Sequence, residues 1–257
     1  MKNRKKSVGS RRNRPSRAAA EQIYGVHAVS AALTNPERQI SAVYATRNGL
    51  ARLGDLIGSQ AEKVTEVKPE DLTRKLGRDA VHQGVMLESA PLPQPALADI
   101  LSAGASSGPL LMLDQVTDPH NVGAMLRSAA AFGAQAAVLT RHNSPPLDGT
   151  TAKAASGAVE HVPIILVANL ARALDDIADG GLQRIGLDSS ADQALEKAVI
   201  SQPCALVLGA ERKGLRRLTR EKCDLICRLT TAGPIASLNV SNAAAVALHT
   251  LLQRAHA

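Results

Sequence analysis

The residues able to do chemistry gather late in the chain. An apolar run, Ala205-Leu206-Val207-Leu208, breaks at Gly209-Ala210-Glu211-Arg212-Lys213-Gly214-Leu215, where a glycine would let the backbone approach a ligand. A second short apolar stretch over 225–229 runs into Thr230-Thr231-Ala232-Gly233-Pro234-Ile235-Ala236 and ends at Ser237-Leu238-Asn239-Val240-Ser241-Asn242. Glycine-bearing loops followed by polar residues at a helix start come in the order a buried cofactor site needs. Upstream, Asn121 and Arg127 fall nearly two helical turns apart on one predicted helix, so they share roughly one face, and Glu211 could approach from the loop after the Leu206 run. These residue types suit hydrogen bonding and electrostatic positioning.

Other chemistries find no support. The first apolar run of the second half is not followed by G-x-G-x-x-G, and a P-loop is absent, so the usual dinucleotide and ATP sites are excluded. Cys204, Cys223 and Cys227 are not joined by a Cys/His cluster that would complete four ligands, so no metal is expected. An odd set of three cysteines also fits a reducing cytosol better than a disulfide scaffold. His120, His142 and His161 each sit beside a predicted strand or turn, where a structural role is commoner than general-base work.

The elements that must position these residues read as alternating strands and helices. A strand over 110–113, a loop to His120, a helix over 121–132 and a strand over 135–139 form one βαβ unit of a parallel sheet. A helix near 150–156, a strand near 162–165, a helix over 170–178 and a strand over 184–187 continue the pattern before the late segments. The Ala/Leu/Val run over 243–252 has strong helix propensity, with Ser237, Asn239 and Ser241 as capping candidates. Before all this, residues 21–89 predict a smaller α/β unit. Its strands lie over 40–45, 64–67 and 84–87, and its helices over 50–57 and 69–76, with Asn35-Pro36 stopping an earlier Ala-rich helix. His82-Gln83-Gly84 reads as a turn. Between the units, prolines at 91, 93 and 95 and Gly104-Ala105-Ser106-Ser107-Gly108 predict a hinged linker over 90–108.

At 257 residues and 45% hydrophobic, the chain can bury two modest cores. Its apolar runs fall far short of the roughly 20 residues that cross a bilayer, and no signal-peptide core appears, so a soluble, cytoplasmic protein without membrane contact is expected. The formal charge of +7 is local. Eight of the 30 basic residues lie within 1–19, which hold no acid, leaving 22 basic against 23 acidic residues elsewhere. Such an arm cannot bury enough surface to fold alone, and a polyanion is its natural partner. With no Trp, one Phe and two Tyr, contact with nucleic acid must rest on charge, shape and hydrogen bonds rather than base stacking.

Leu208-Gly209-Ala210-Glu211-x-x-Gly214-Leu215, then Ser237-Leu238-Asn239-Val240-Ser241, resembles the SpoU/TrmH branch of the SPOUT RNA methyltransferases. Asp118-Pro119-His120-Asn121-Val122-Gly123-Ala124-Met125-Leu126-Arg127-Ser128-Ala129 is similar to that family's first motif, and the three motifs keep the family's order. The resemblance covers about 109–257, and the preceding region resembles the ribosomal-protein-like RNA-binding domain of bacterial 2′-O-methylating members. It implies an α/β SPOUT domain with a parallel sheet and a deep trefoil knot over 109–257. Before it would come a basic tail (1–19), a substrate-binding domain (20–89) and the linker. The implied activity is S-adenosylmethionine-dependent 2′-O-methylation of a ribose, a guanosine of 23S rRNA, by a homodimer. A tRNA-directed enzyme and a non-catalytic assembly factor are the alternatives. By position the resemblance puts Gly209, Leu229 and Leu238, with Leu208 and Gly233 beside them, against the cofactor. It makes Arg127 the catalytic residue, with Asn121, Glu211, Ser237 and Asn239 orienting the reactants. Arg212-Lys213 and Pro234 depart from the family's usual residues, which bears on substrate preference rather than activity.

Overall fold

The computed structural model describes residues 20–103, 108–211, 213–234 and 237–255. The basic stretch 1–19, linker residues 104–107, Arg212, the pair Ile235-Ala236 and residues 256–257 lie outside them.

Two sheets organise the chain. In the first, β1 (Glu21–Tyr24), β2 (Ile40–Ala45), β3 (Val64–Glu66) and β4 (Val85–Ser89) take the order β1-β4-β2-β3. β4 runs antiparallel to both neighbours, and β3 joins β2 in parallel. Helices α1 (Val26–Thr34), α2 (Arg47–Leu53) and α3 (Pro69–Leu76) connect them. The helix expected over 50–57 stops at Leu53, and the chain continues as a 3₁₀ turn over Gly54–Lys63. None of those ten residues is buried, so no apolar face holds them in an α-helix.

Residues 90–103 are less of a free linker than their prolines predict. They contain a short helix, α4 (Leu97–Ser102), whose Leu97 is buried against the second sheet's core.

That second sheet has seven strands: β5 (Leu110–Asp114), β6 (Ala136–Thr140), β7 (Ile164–Val167), β8 (Gln183–Leu187), β9 (Gln193–Ala194), β10 (Cys204–Gly209) and β11 (Leu225–Arg228). Their order is β7-β6-β5-β10-β8-β11-β9, every pairing parallel. β5, β6 and β10 are buried at every residue, which is why they read as unbroken apolar runs: helices cover both faces of a parallel sheet. Alternate residues go to opposite cores. Leu111, Leu113, Leu206 and Leu208 pack with α5 (Pro119–Ala131) and α9 (Val240–Ala255). Leu110, Met112, Ala205 and Val207 pack with α7 (Leu170–Asp179), which follows α6 (Gly149–Ala154) in the chain. The short α8 (Arg217–Glu221) precedes β11.

The order places a topological switch between β5 and β10. From β5 the chain winds outward through β6 and β7, then returns to build β8 to β11 on the other side. In open parallel sheets a crevice forms beyond the strands' carboxyl ends at such a point, and ligands bind there. Gly209 and Asp114, paired across the two strands, are its floor.

The two sheets also share a packed seam instead of the expected hinge. Arg38, whose side chain is 2% exposed, donates through Nε and Nη2 to Glu160 at 3.1 and 2.7 Å. Its Nη1 donates to Glu21 at 2.9 Å and to the Ala90 carbonyl at 3.1 Å. Asn35 Nδ2 adds a bond to Glu160 at 2.8 Å. Two planar groups meeting twice fix relative orientation as well as distance.

Candidate active site at the switch point

At the end of β5 the buried Asp114 accepts from Arg216 Nε at 2.7 Å and from its backbone N–H at 3.0 Å. This pulls the loop after β10 back over the strand ends. The loop closes on itself through Gly214 N–H to the Ala210 carbonyl, 2.8 Å. A Cβ at Gly209 would lie 2.1 Å from the Gly214 carbonyl carbon and 2.3 Å from Leu215 N. The backbone that needs this glycine is therefore the returning loop, where the sequence suggested a ligand.

Three chain segments converge there through one hydrogen-bond network. Asn121 Nδ2, in the first turn of α5, donates to Glu211 Oε1 at 2.7 Å and to the cap residue Asp118 at 3.2 Å. Asn239 Nδ2 donates to the same Glu211 oxygen at 2.6 Å and to Asn121 Oδ1 at 3.1 Å. Asn239 Oδ1 in turn accepts from Ser241 N at 2.8 Å, so among the three capping candidates Asn239 caps α9. One carboxylate oxygen thus gathers the helix after β5, the loop after β10 and the start of the last helix.

Beside this network lies a cavity of about 310 Å³. Leu208, Leu229 and Leu238 line it with Gly209, Glu211 and Ser237, and Leu187, Asp188 and Ser189 add the end of β8. Leu238 is 45% exposed, a large apolar side chain left open on the cavity wall. The Ser237 hydroxyl is exposed and has no hydrogen-bond partner among the described residues. Gly233 is exposed and lies outside the lining.

Arg127 stands apart. It is exposed on α5, does not line the cavity, and donates one long bond of 3.4 Å to Ser156 Oγ. Of the residues singled out in the sequence, the structure brings Asn121, Glu211 and Asn239 together; Asp114, Asp118, Arg216 and the β8 end were missed. Asp114 and Asp118 could have been found as polar residues closing an apolar run and opening a helix.

Burial pushes the Cys204 thiol up to about 11 and the Cys223 thiol to about 12, so neither supplies a thiolate near neutral pH. Among the described residues, no group of three or more His, Cys, Asp and Glu could hold a metal. No helix among them is long and apolar enough to cross a membrane.

Residues 22–95 match the family described as RNA 2′-O ribose methyltransferase substrate binding. Across the full chain, the 23S rRNA (guanosine-2′-O-)-methyltransferase RlmB of Pseudomonas aeruginosa is 40% identical over 240 residues, 91% of this chain and 96% of that protein. The enzyme of the same name from Ralstonia nicotianae is 41% identical, covering 88% and 92%. In fold, the SpoU methyltransferase AviRb from Streptomyces viridochromogenes, solved in complex with AdoMet, aligns with a TM-score of 0.77 at 22% identity, covering 95% of this chain and 93% of its own. Residues 108–249, more than half the sequence, match the SpoU rRNA Methylase family, and the chain belongs to it.

Proposed function

We propose that this protein transfers a methyl group from S-adenosylmethionine to the ribose 2′-oxygen of a guanosine in 23S rRNA. The Asn121–Glu211–Asn239 network at the mouth of the switch-point cavity carries the reading, together with the RlmB relatives that align over most of the chain. In this reading residues 20–89 bind the RNA substrate, 90–108 link, and 109–257 form the methyltransferase domain with a trefoil knot around the cavity. The protein works in the cytoplasm.

The cavity suits the cofactor. Leu187, Leu208, Leu229 and the open Leu238 offer apolar walls for a flat base, and the Glu211 carboxylate offers negative charge to a cationic ligand. S-adenosylmethionine supplies a methyl on a positively charged sulfur that leaves readily. What the protein must add is position and acidity, because a free ribose hydroxyl does not ionise near pH 7. With the cofactor bound, the 2′-oxygen would take the methyl group from the sulfur, and the hydroxyl proton would pass to solvent. Arg127 holds an RNA phosphate and stabilises the forming alkoxide, the role open to an exposed guanidinium. Asn121, Glu211, Ser237 and Asn239 fix the loops and the ribose.

Because Arg127 does not line the cavity of its own chain, a second subunit bringing its arginine to that cavity completes the site, and a homodimer is the proposed active form. The exposed Val246 on the Ala-rich α9 offers close packing for it.

The test is transfer of labelled methyl from S-adenosylmethionine to unmodified 23S rRNA, with the modified nucleotide mapped. Arg127→Ala should lower turnover roughly 10²–10⁴-fold while sparing cofactor binding. Label appearing in tRNA alone, or an unaltered rate in Arg127→Ala, would reject the reading.

A further inference from the structure

At the seam, one cation is held where no acidic side chain among the described residues pairs with it. Lys153 lies on α6, which packs against α5 on one side and β1 on the other. Its Nζ is 3.2 Å from the point that a Cβ on Gly25 would occupy, and Gln83 Oε1 is 3.3 Å from that point. Gly25 has φ of 90°, so a side chain there would be strained as well as crowded. Gln83, itself at φ 55°, turns its Oε1 to accept from Val26 N at 3.0 Å. The lysine amine is thus seated against the turn that opens α1 and the His82-Gln83-Gly84 turn of the first unit.

Lys153 is half-buried, and burial pushes its pKa down. Burial and then the Lys153 charge push His82 down in the same place. Yet among the described residues Lys153 makes no ion pair. A partly desolvated ammonium without counter-charge is unfavourable, and such groups concentrate where a ligand completes the balance.

The ligand's chemistry follows from the neighbour. Ser156, at φ 52°, turns the chain at the end of α6; its N–H donates to the Lys153 carbonyl at 3.0 Å and its Oγ receives the Arg127 guanidinium. A stretch of four residues therefore carries Lys153 and anchors Arg127. We propose that Lys153 is an RNA-phosphate contact, holding the substrate backbone at the seam beside Arg127 so that the RNA spans both units. Phosphate contacts of this kind set register on the nucleic acid and leave base choice to other groups.

This inference rests on the proposed RNA methylation, and the experiment separates the two. Binding of unmodified 23S rRNA by the full chain is measured across a salt series, alongside methyl transfer, for wild type, Lys153→Met, Lys153→Gln and Lys153→Arg. Met keeps the stem that packs on Gly25, and Gln provides a second neutral variant should Met fold poorly. Both should weaken RNA binding roughly 3- to 10-fold at low salt and reduce the slope of log affinity against log salt by about 0.7–0.9, one phosphate's share. They should raise KM for RNA more than they lower kcat, and Arg should restore the slope. If wild type methylates 23S rRNA and the neutral variants keep its salt slope, the Lys153 assignment alone is overturned, as it is by a lowered Tm with the slope intact. A wild type that methylates no RNA would overturn the activity itself.

Discussion

The cavity beyond β10 and a second cavity at the seam are close in size, about 310 and 330 Å³, yet their walls differ. At the seam, Arg38 donates through all three nitrogens and both Glu160 oxygens accept, so the charges satisfy one another out of water. Beyond β10, Glu211 Oε1 is occupied, but Ser237 is open to a ligand and Leu238 is half exposed. Volume alone would not separate them. What marks the functional cavity is the surface left open on its wall, Ser237 and Leu238, because an ion pair, Asp188 with Arg220, borders this cavity as well.

Breaking the joint should have the largest effect on folding. Glu160→Leu strands a buried guanidinium, and urea unfolding should show a loss of about 3–5 kcal/mol. The double variant Arg38→Met/Glu160→Leu should recover much of it, since removing both charges removes the stranded one. A single-variant loss no greater than that of the double would show that the pair is not the joint. A smaller effect is expected from Asn239→Ala, which removes the α9 cap and one arm of the Glu211 network: a loss of about 0.5–2 kcal/mol for the cap in thermal unfolding. Its activity should fall further than that stability loss explains, and equal falls would reduce the network to a structural role.

The smallest effect calibrates both. Asp224 meets Arg184 in a partly exposed pair, and the hydrogen bond from Arg184 holds the carboxyl below its usual range. A depressed folded-state pKa stabilises above the unfolded value, near ~3.9, and that contribution disappears as pH falls through the folded value. Wild type should therefore lose slightly more stability than Asp224→Asn below about pH 4, by no more than about 1 kcal/mol because solvent screens the pair. Parallel pH profiles for the two proteins would contradict this.

The sequence was most legible where periodicity and local propensity act alone. The strand Ile40–Ala45 and the helix Pro69–Leu76 have their expected ends, and the buried strands around Leu111 and Leu206 stood out because a parallel sheet covered on both faces leaves no polar alternation to read. Asn121, Glu211 and Asn239 were legible as a set through motif order, and the structure joins them. Arg38 and Glu160 were not, because 122 residues separate them and each looks like an ordinary surface charge until the two units are packed. Gly209 was located, but a second reason for it was not legible: only the folded loop shows that Gly214 and Leu215 need the space. The two-residue β9 carries too little pattern to announce itself.

The central claim is that the cavity beyond β10, and not the seam, takes S-adenosylmethionine. Calorimetric titration of the cofactor into wild type, Leu238→Arg and Arg38→Met/Glu160→Leu tests it most directly. Leu238 is exposed enough for arginine to be tolerated, but a cation on that wall would displace the apolar surface and repel a positively charged sulfur. Leu238→Arg should weaken binding at least about tenfold, roughly 1.4 kcal/mol, while the seam variant binds as wild type does. Unchanged affinity in Leu238→Arg, or a matching loss in the seam variant, would contradict the account.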